Sequence, residues 1–390
     1  MNEDFKKKLK DYKEGKLSEE EKELIESDIE KLEQYQEFLE EDLEEAECSK
    51  EVKKPTKNRR QTKILRLSKW KARLQNAFTV IGIFIIVTFI SSVISIIFYS
   101  GGISGRTEIY RDVIKSAIAV TKPNVVLSGG NTHVDPFFTL SMKGQLEKEV
   151  GGETIIVGKV EKKFILGKTG FGGVEMYGNK DEKILFYPFD QRKEAYMNKD
   201  WDKLEKLPEG TVAEAFISLD KLYETDEVLG KLKDREIKPI WFAVDTGAND
   251  KEPQHDEVIV YPIGFPYIPM WHSDDAISSN RTVKKVGLFF KKETGSARYP
   301  DVEEYGSGKL RNENFIKTLD FIKRYEGIAN MITDYKTLNI QKRIDYIDSN
   351  GVKIYGIVIT GPSKEVLKLK QEQWVKGIGI GEVRLWNWEK

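Results

Sequence analysis

The sequence predicts three parts in series: an α-helical cytoplasmic arm, a single transmembrane helix, and an extracytoplasmic α+β region whose second lobe reads as ferredoxin-like. Three observations carry this reading. Residues 76–99, "NAFTVIGIFIIVTFISSVISIIFY", hold no Asp, Glu, Lys or Arg in a chain of 390 residues that is 33% charged. A basic block stands directly before that run. Beyond it, strand-like and helix-like segments alternate to the end of the chain. The expected division is 1–48 arm, 49–75 basic linker, 76–99 span, 100–205 first outer lobe and 206–390 second outer lobe.

The net charge of −1 conceals two opposed blocks: 8 basic and 19 acidic residues over 1–48, then 11 basic and 1 acidic over 49–75. The arm reads as a helical hairpin. Phe5, Leu9 and Tyr12 recur at helical spacing and Gly15 is placed to end that helix. Ser18 with Glu21 matches a capping box, and Glu19 to Glu21 complement a helix N-terminus. The second helix is expected from about Glu19 to about Ala46. Its stripe is Ile25, Ile29, Leu32, Leu39, Leu43 and Ala46, with Gln36 as one polar member, widened by Leu24, Tyr35 and Phe38. The opposite face is mostly acidic.

Two short helices cannot bury so broad a stripe by themselves. A solvated helix, a homotypic coiled coil and a docking helix for another protein all fit the pattern. The acidic excess repels a parallel copy and favours a basic, heterologous partner. The residues expected to meet it are Leu24, Ile25, Glu26, Asp28, Ile29, Leu32, Tyr35, Leu39 and Leu43.

About 20 helical residues cross a hydrocarbon core of about 30 Å, and the apolar run exceeds that length. A cleaved signal peptide sits at the extreme N-terminus and has a shorter core. Arg59, Arg60, Arg66, Lys69, Lys71 and Arg73 precede the run, whereas Arg106, Arg111 and Lys115 follow it sparsely. The basic side stays in the cytoplasm, so the protein is expected in the cell membrane with its N-terminus inside and its C-terminal region outside. Trp70 and Tyr99 are expected as interfacial anchors, and the basic block is expected to meet anionic lipid rather than nucleic acid. Thr88 with Ser92, and Ser91 with Ser95, stand four apart. Either they bond back to their own helix or they mark a contact with a second membrane subunit.

Cys48 is the sole cysteine, which excludes an intramolecular disulfide and a cysteine-based zinc site. In the outer region, "TEIYRDVIKSAIAVTKPNV" reads as a helix ending before Pro123, followed by the strand-like runs "GGETIIVGKV", "EKKFILGK" and "EKILFYPF". The second lobe holds two strand–helix–strand units, "VAEAFISL"–"TDEVLGKLKD"–"IKPIWFAVDTG" and "VKIYGIVITGP"–"SKEVLKLKQE"–"GIGEVRLW". Between them lies the helix "NENFIKTLDFIKRYEGIANMI". Two such units in series suggest the ferredoxin-like lobe.

No constellation for catalysis emerges, and no cofactor is expected. "GKTGFGG" fails as a phosphate loop, because the required first Gly position holds Lys162; these glycines read as a turn. His255, Asp256, His272, Asp274 and Asp275 match no metal-ligand spacing, and His133 stands alone. Phe265, Tyr267, Trp271 and His272 form an aromatic loop, suited to packing over the sheet or to contacting a ligand.

The stretch "FKKKLKDYKEGKLSEEEKELIESDIEKLEQYQEFLEE", followed by a basic linker and one span, resembles the N-terminal region of sigma-factor regulators. The segments "LPEGTVAEAFISLDKLYETDEVLGKLKDREIKPIWFAVDTG" and "KIYGIVITGPSKEVLKLKQEQWVKGIGIGEVRLWNW" are similar to that family's C-terminal domain. The resemblance covers roughly residues 3–100 and 205–388 and is nearest to membrane-bound anti-sigma factors of the sigma-M type. It implies a non-enzymatic negative regulator that holds an extracytoplasmic-function sigma factor at the membrane, away from polymerase and promoter. Many such arms carry a zinc motif of His and two Cys. This arm has Cys48 and no His, so the resemblance implies a zinc-independent one. The alternative is a single-pass structural or receptor protein that self-associates through its arm and binds its ligand outside.

Overall fold

The computed structural model describes residues 12, 18–48, 59–101, 105–178, 186–188, 199–247, 259, 261–286, 290–333 and 337–386. The chain divides into two compact units, residues 1–83 and 84–390.

In the first unit, helix α1 spans Glu19–Cys48. The Glu21 carboxylate accepts from the Ser18 backbone N–H at 3.1 Å and from the Ser18 hydroxyl at 2.9 Å. This is the half of the capping box that satisfies the donor before the helix. Of the first hairpin helix, Tyr12 alone is among the described residues, and its hydroxyl donates to Glu26 Oε1 at 2.7 Å.

Helix α2, Arg59–Ser100, runs from the first unit into the second. Its most apolar 18-residue window has a mean hydropathy of 2.8 and is 6% buried. A core helix of that composition would be covered by protein; this one turns Phe78, Ile81, Phe84, Ile85, Ile86 and Phe89 outward. Length and composition therefore suit a membrane crossing.

Thr88 Oγ1 and Ser92 Oγ donate back to Phe84 O and Thr88 O, each at 2.8 Å. Ser91 and Ser95 behave differently. Their hydroxyls accept the backbone N–H groups of Phe137 and Phe138 at 2.7 and 2.8 Å. Tyr99 also departs from expectation. It is wholly buried and donates to Phe138 O at 2.8 Å, so it belongs to the protein interior and not to a lipid interface. Trp70 is 71% exposed.

The second unit continues with α3, Arg106–Thr121, which stops before Pro123 as its sequence predicts. A four-stranded antiparallel meander follows: β1 Val126–Asp135, β2 Thr139–Val150, β3 Glu153–Ile165 and β4 Lys168–Met176, in the order β1-β2-β3-β4. "GKTGFGG" is therefore mostly strand. Gly167, at φ +73°, makes the turn, and β4 takes the rest. Lys162 is buried beside it and donates to Gly170 O and Gly172 O at 3.3 and 2.9 Å. Burial holds its ammonium pKa below the usual lysine range.

Helix α4, Lys199–Lys206, leads into β5, Thr211–Tyr223, then α5, Thr225–Leu232, β6, Lys238–Val244, and the short β7, Gly264–Pro266. A separate ribbon pairs β8, Ser278–Val286, with β9, Phe290–Arg298. Helices α6, Gly308–Arg324, α7, Glu326–Ala329, and α8, Ile340–Asn350, precede β10, Ile354–Pro362. Helix α9, Ser363–Lys368, and β11, Val375–Leu385, complete the described fold. The second sheet has the order β11-β5-β10-β6-β7, and every neighbouring pair is antiparallel. The helix expected over residues 312–332 is shorter than predicted; it breaks after Arg324 into α7.

Helix α3 explains why the two sheets share one body. Val113, Ala117 and Val120 join the core of the five-stranded sheet with Phe242, Ile357, Phe315 and Leu319. Tyr110, Ile114 and Ile118 join the core of the meander with Leu140, Val160 and Phe164. Both sets follow steps of three or four, so one helix carries two apolar stripes and forms the wall between two cores.

Candidate functional sites

Helix α1 presents the residues expected to meet a partner. A rotation of about 100° per residue places Leu24, Asp28, Leu32 and Tyr35 close together, with Ile25 and Ile29 along one edge. Ile25 is 4% exposed and Ile29 half-buried, so that edge is covered. Leu24, Leu32, Tyr35 and Phe38 are 52–67% exposed. The rest of the stripe thus faces outward, with Asp28 half-buried within it and Glu26 exposed on the far side of the helix from Leu24. The side chains of Leu39 and Leu43 lie outside the described residues, as do those of Arg59 and Arg60. Arg66, Lys69, Lys71 and Arg73 are exposed on α2.

The second unit holds a cleft of about 700 Å³ between α3, the meander and the chain that follows β7. That volume falls within the range of small-molecule sites. Lys115, Trp241, Tyr267, Met270, Trp271 and His272 contribute to its wall. Trp241 is fixed by donating Nε1–H to Ala119 O at 2.8 Å. Phe265 faces the other way, with ring centroids 5.2 Å from Phe242 and 5.0 Å from Phe315, so it is a core residue. Phe265 of the aromatic loop therefore packs in the core, while Tyr267, Trp271 and His272 line the cleft.

The loop is held by buried polar groups. Arg311, 2% exposed, donates to Tyr267 O and, at 2.7 Å, to Glu303 O, while its guanidinium lies 4.4 Å from the Tyr267 ring centre. Asn314 exchanges hydrogen bonds with the Met270 backbone, both at 2.9 Å. Burial draws the Arg311 pKa below its usual value, and the Tyr267 interaction opposes that shift.

His272, Asp274 and Asp275 do come together, around Lys317. Asp275 accepts from the His272 backbone N–H at 2.7 Å and from Lys317 Nζ, which also lies 3.1 Å from Asp274. Burial pushes the Asp274 carboxyl up, but the Lys317 hydrogen bond and charge pull it below the usual carboxylate range. Burial alone would lower the Lys317 pKa; its hydrogen bonds to the two acids raise it. A lysine ammonium thus sits between these carboxylates. His255 and Asp256 lie outside the described residues, and no metal-binding cluster occurs among the described ones.

Sequence reasoning missed one contact here: Ser116 Oγ stands 3.0 Å from His272 Nε2. Residues 156 positions apart meet only because α3 packs against the chain beyond β7, so no local spacing could have shown it. Ser116 is fully buried within α3, and His272 Nδ1 is 3.6 Å from Asp275. Both residues belong to the lining of the cleft.

Comparison with known proteins matches the family model for the sigma factor regulator C-terminal domain over residues 204–382 and that for the N-terminal domain over residues 62–155. The N-terminal match thus begins within α2 and takes in the apolar run, α3 and the first two strands of the meander; the acidic arm precedes it. Along its whole length the chain is 30% identical, over 396 aligned residues, to the "Probable anti-sigma-M factor YhdL" of Bacillus subtilis (strain 168), with 100% of each chain covered. No solved structure matches. With an exposed amphipathic helix, one helix of membrane-spanning length and two matched regulator domains in one chain, this protein belongs to the sigma factor regulator family.

Proposed function

We propose that the chain is a single-pass anti-sigma factor whose arm sequesters an extracytoplasmic-function sigma factor at the cytoplasmic face of the membrane. The observation that carries this reading is the row Leu24, Leu32, Tyr35 and Phe38, exposed on a strongly acidic helix. Sigma factors present basic surfaces to DNA. Acidic charge steers the encounter, and desolvated apolar side chains set the residence time. Basic residues Arg66 to Arg73 before the span support the N-inside orientation and a contact with anionic lipid. The protein acts by binding and not by catalysis.

Residues 100–390 sense an envelope signal, with the 700 Å³ cleft as the receiving site. The division into arm, linker, span and two outer lobes follows the composition of the chain. A ferredoxin-like second lobe is supported by the strand order, in which β10 lies between β5 and β6 and β11 flanks β5. That order is what two interleaved strand–helix–strand units produce.

The test is purification of the tagged full-length chain from native membranes, with mass spectrometry of what accompanies it. A sigma factor should co-purify, and Leu32→Asp should release it. A stable homodimer with no sigma factor, together with no rise in any sigma regulon on deletion, would sink the proposal in favour of a self-associating receptor.

A further inference from the structure

The sheet end that touches α2 carries an unusual combination of residues. The β1–β2 turn places Phe137 and Phe138 at φ +59° and +54°, and the β3–β4 turn places Leu166 at φ +52°. Hairpin turns that need left-handed backbone favour Gly and Asn, because a Cβ there costs roughly 1–2 kcal/mol per residue. Here three large apolar residues take those positions. Phe138 is accounted for, since its ring packs edge-on against Phe98 at 5.5 Å. Phe137 and Leu166 are not, being 50% and 60% exposed. The two turns are neighbours, with Leu166 N–H donating to Phe138 O at 2.9 Å.

The depth of these turns follows from their hydrogen bonds to the helix. Phe137 N–H is held by Ser91 and Phe138 N–H by Ser95. Ser91 precedes the end of α2 by nine residues, about 13 Å of helix. Counted from Leu74, just after the last basic residue, or from Asn76, about 20 residues of hydrocarbon crossing end near residue 93 or 95. On either count Ser91 lies inside the apolar layer. The Phe137 amide bonded to it is thereby satisfied by protein at a depth where water would not serve it.

We propose that the β1–β2 and β3–β4 turns dip into the lipid leaflet beside the carboxyl-terminal end of α2, with Phe137 and Leu166 in contact with acyl chains. This rests on reading α2 as a membrane span. Lipid is the occupant that fits, because the exposed apolar tips continue the exposed apolar surface of α2 itself and are fixed to it by two hydroxyl bonds. The meander is then seated on the bilayer by its own turns, and its tilt is tied to that of the helix.

The test uses the full-length chain with Cys48→Ser, reconstituted in phosphatidylcholine–phosphatidylglycerol vesicles. An environment-sensitive NBD label is placed in turn at Phe137→Cys, Leu166→Cys, Ile90→Cys and the exposed Ser349→Cys. The expected result is blue-shifted emission at 137 and 166, lost to doxyl-labelled lipid as at 90, with 349 quenched only by aqueous iodide. If Phe137→Cys fails to fold, Leu166→Cys carries the measurement. Iodide-accessible labels at 137 and 166, with 90 still in lipid, overturn the proposal alone. Blue-shifted labels at 137 and 166 that doxyl lipid leaves untouched point to a protein contact instead and also overturn it. A water-exposed label at 90 overturns the span on which it rests.

Discussion

Lys148 Nζ on β2 lies 2.9 Å from Glu214 Oε2 on β5, with the two side chains 8% and 0% exposed, so one buried ion pair fastens the meander to the five-stranded sheet. Glu214 is fully engaged. Its other oxygen accepts Asn124 Nδ2–H at 2.7 Å, and Glu382 N–H reaches Oε2 at 3.1 Å. Removing one partner leaves the other charge buried and uncompensated, whereas replacing both with apolar groups avoids that cost. Glu214→Gln should therefore lose about 3–5 kcal/mol in denaturant unfolding. The double variant Glu214→Gln/Lys148→Met removes both charges while keeping an oxygen at 214 to accept from Asn124 or Glu382, and it should lose clearly less than the single one.

Tyr99 links helix and sheet through its hydroxyl, donating to Phe138 O at 2.8 Å and accepting Gly167 N–H at 3.2 Å. Tyr99→Phe keeps the ring and leaves the part-buried Gly167 N–H without this acceptor. We expect a loss of about 1–3 kcal/mol in the thermal unfolding of detergent-solubilised protein. Trp70→Phe, at an exposed site, should change the melting temperature little.

Arg235 Nη2 donates to Glu372 Oε1 at 2.6 Å, and Trp374 Nε1 donates to the other oxygen at 2.9 Å. The Arg235 hydrogen bond is the main reason the Glu372 carboxyl sits below the usual glutamate range; slight burial opposes it. The unfolded chain then binds this proton more tightly than the folded one. The stabilisation is complete above the ordinary glutamate pKa of about 4.3 and disappears as pH falls through the lower folded value. Unfolding midpoints measured from pH 7 down to acid should fall more steeply in the parent than in Glu372→Gln.

On the arm, Leu32→Asp places a carboxylate in the exposed apolar row. A central apolar contact is commonly worth about 2 kcal/mol, so if the arm binds a sigma factor as proposed, the affinity should drop about 30-fold or more. Glu26→Lys with Asp28→Lys should act differently, slowing association and weakening its salt dependence. Titration calorimetry and stopped-flow mixing separate the two, and equal effects on both rates would count against the division of labour.

The features readable in the residues were those that a single helix or strand expresses alone. Uncharged length marked α2, the Ser18–Glu21 spacing marked the start of α1, and alternating apolar runs marked β5, β6, β10 and β11. The meander was harder, because "GKTGFGG" has the composition of a turn and becomes strand only through pairing with β3. Helix α8 does carry such a signal, with Ile340, Ile344 and Ile347 at helical spacing before Gly351, whereas the β8–β9 ribbon is too polar to mark its strands.

By itself the sequence determined one membrane-length helix, an acidic amphipathic arm, a basic leader and a mixed α+β region after the helix. Each of these follows from local composition and periodicity. Only the tertiary structure decided what α2 touches: Ser91, Ser95 and Tyr99 grip the turns of a sheet 40 to 70 residues further along the chain. It likewise decided that α3 walls two cores and that Ser116 meets His272 across the cleft. Hydrogen bonds and packing between distant segments depend on how the chain returns to itself, and no local spacing records that.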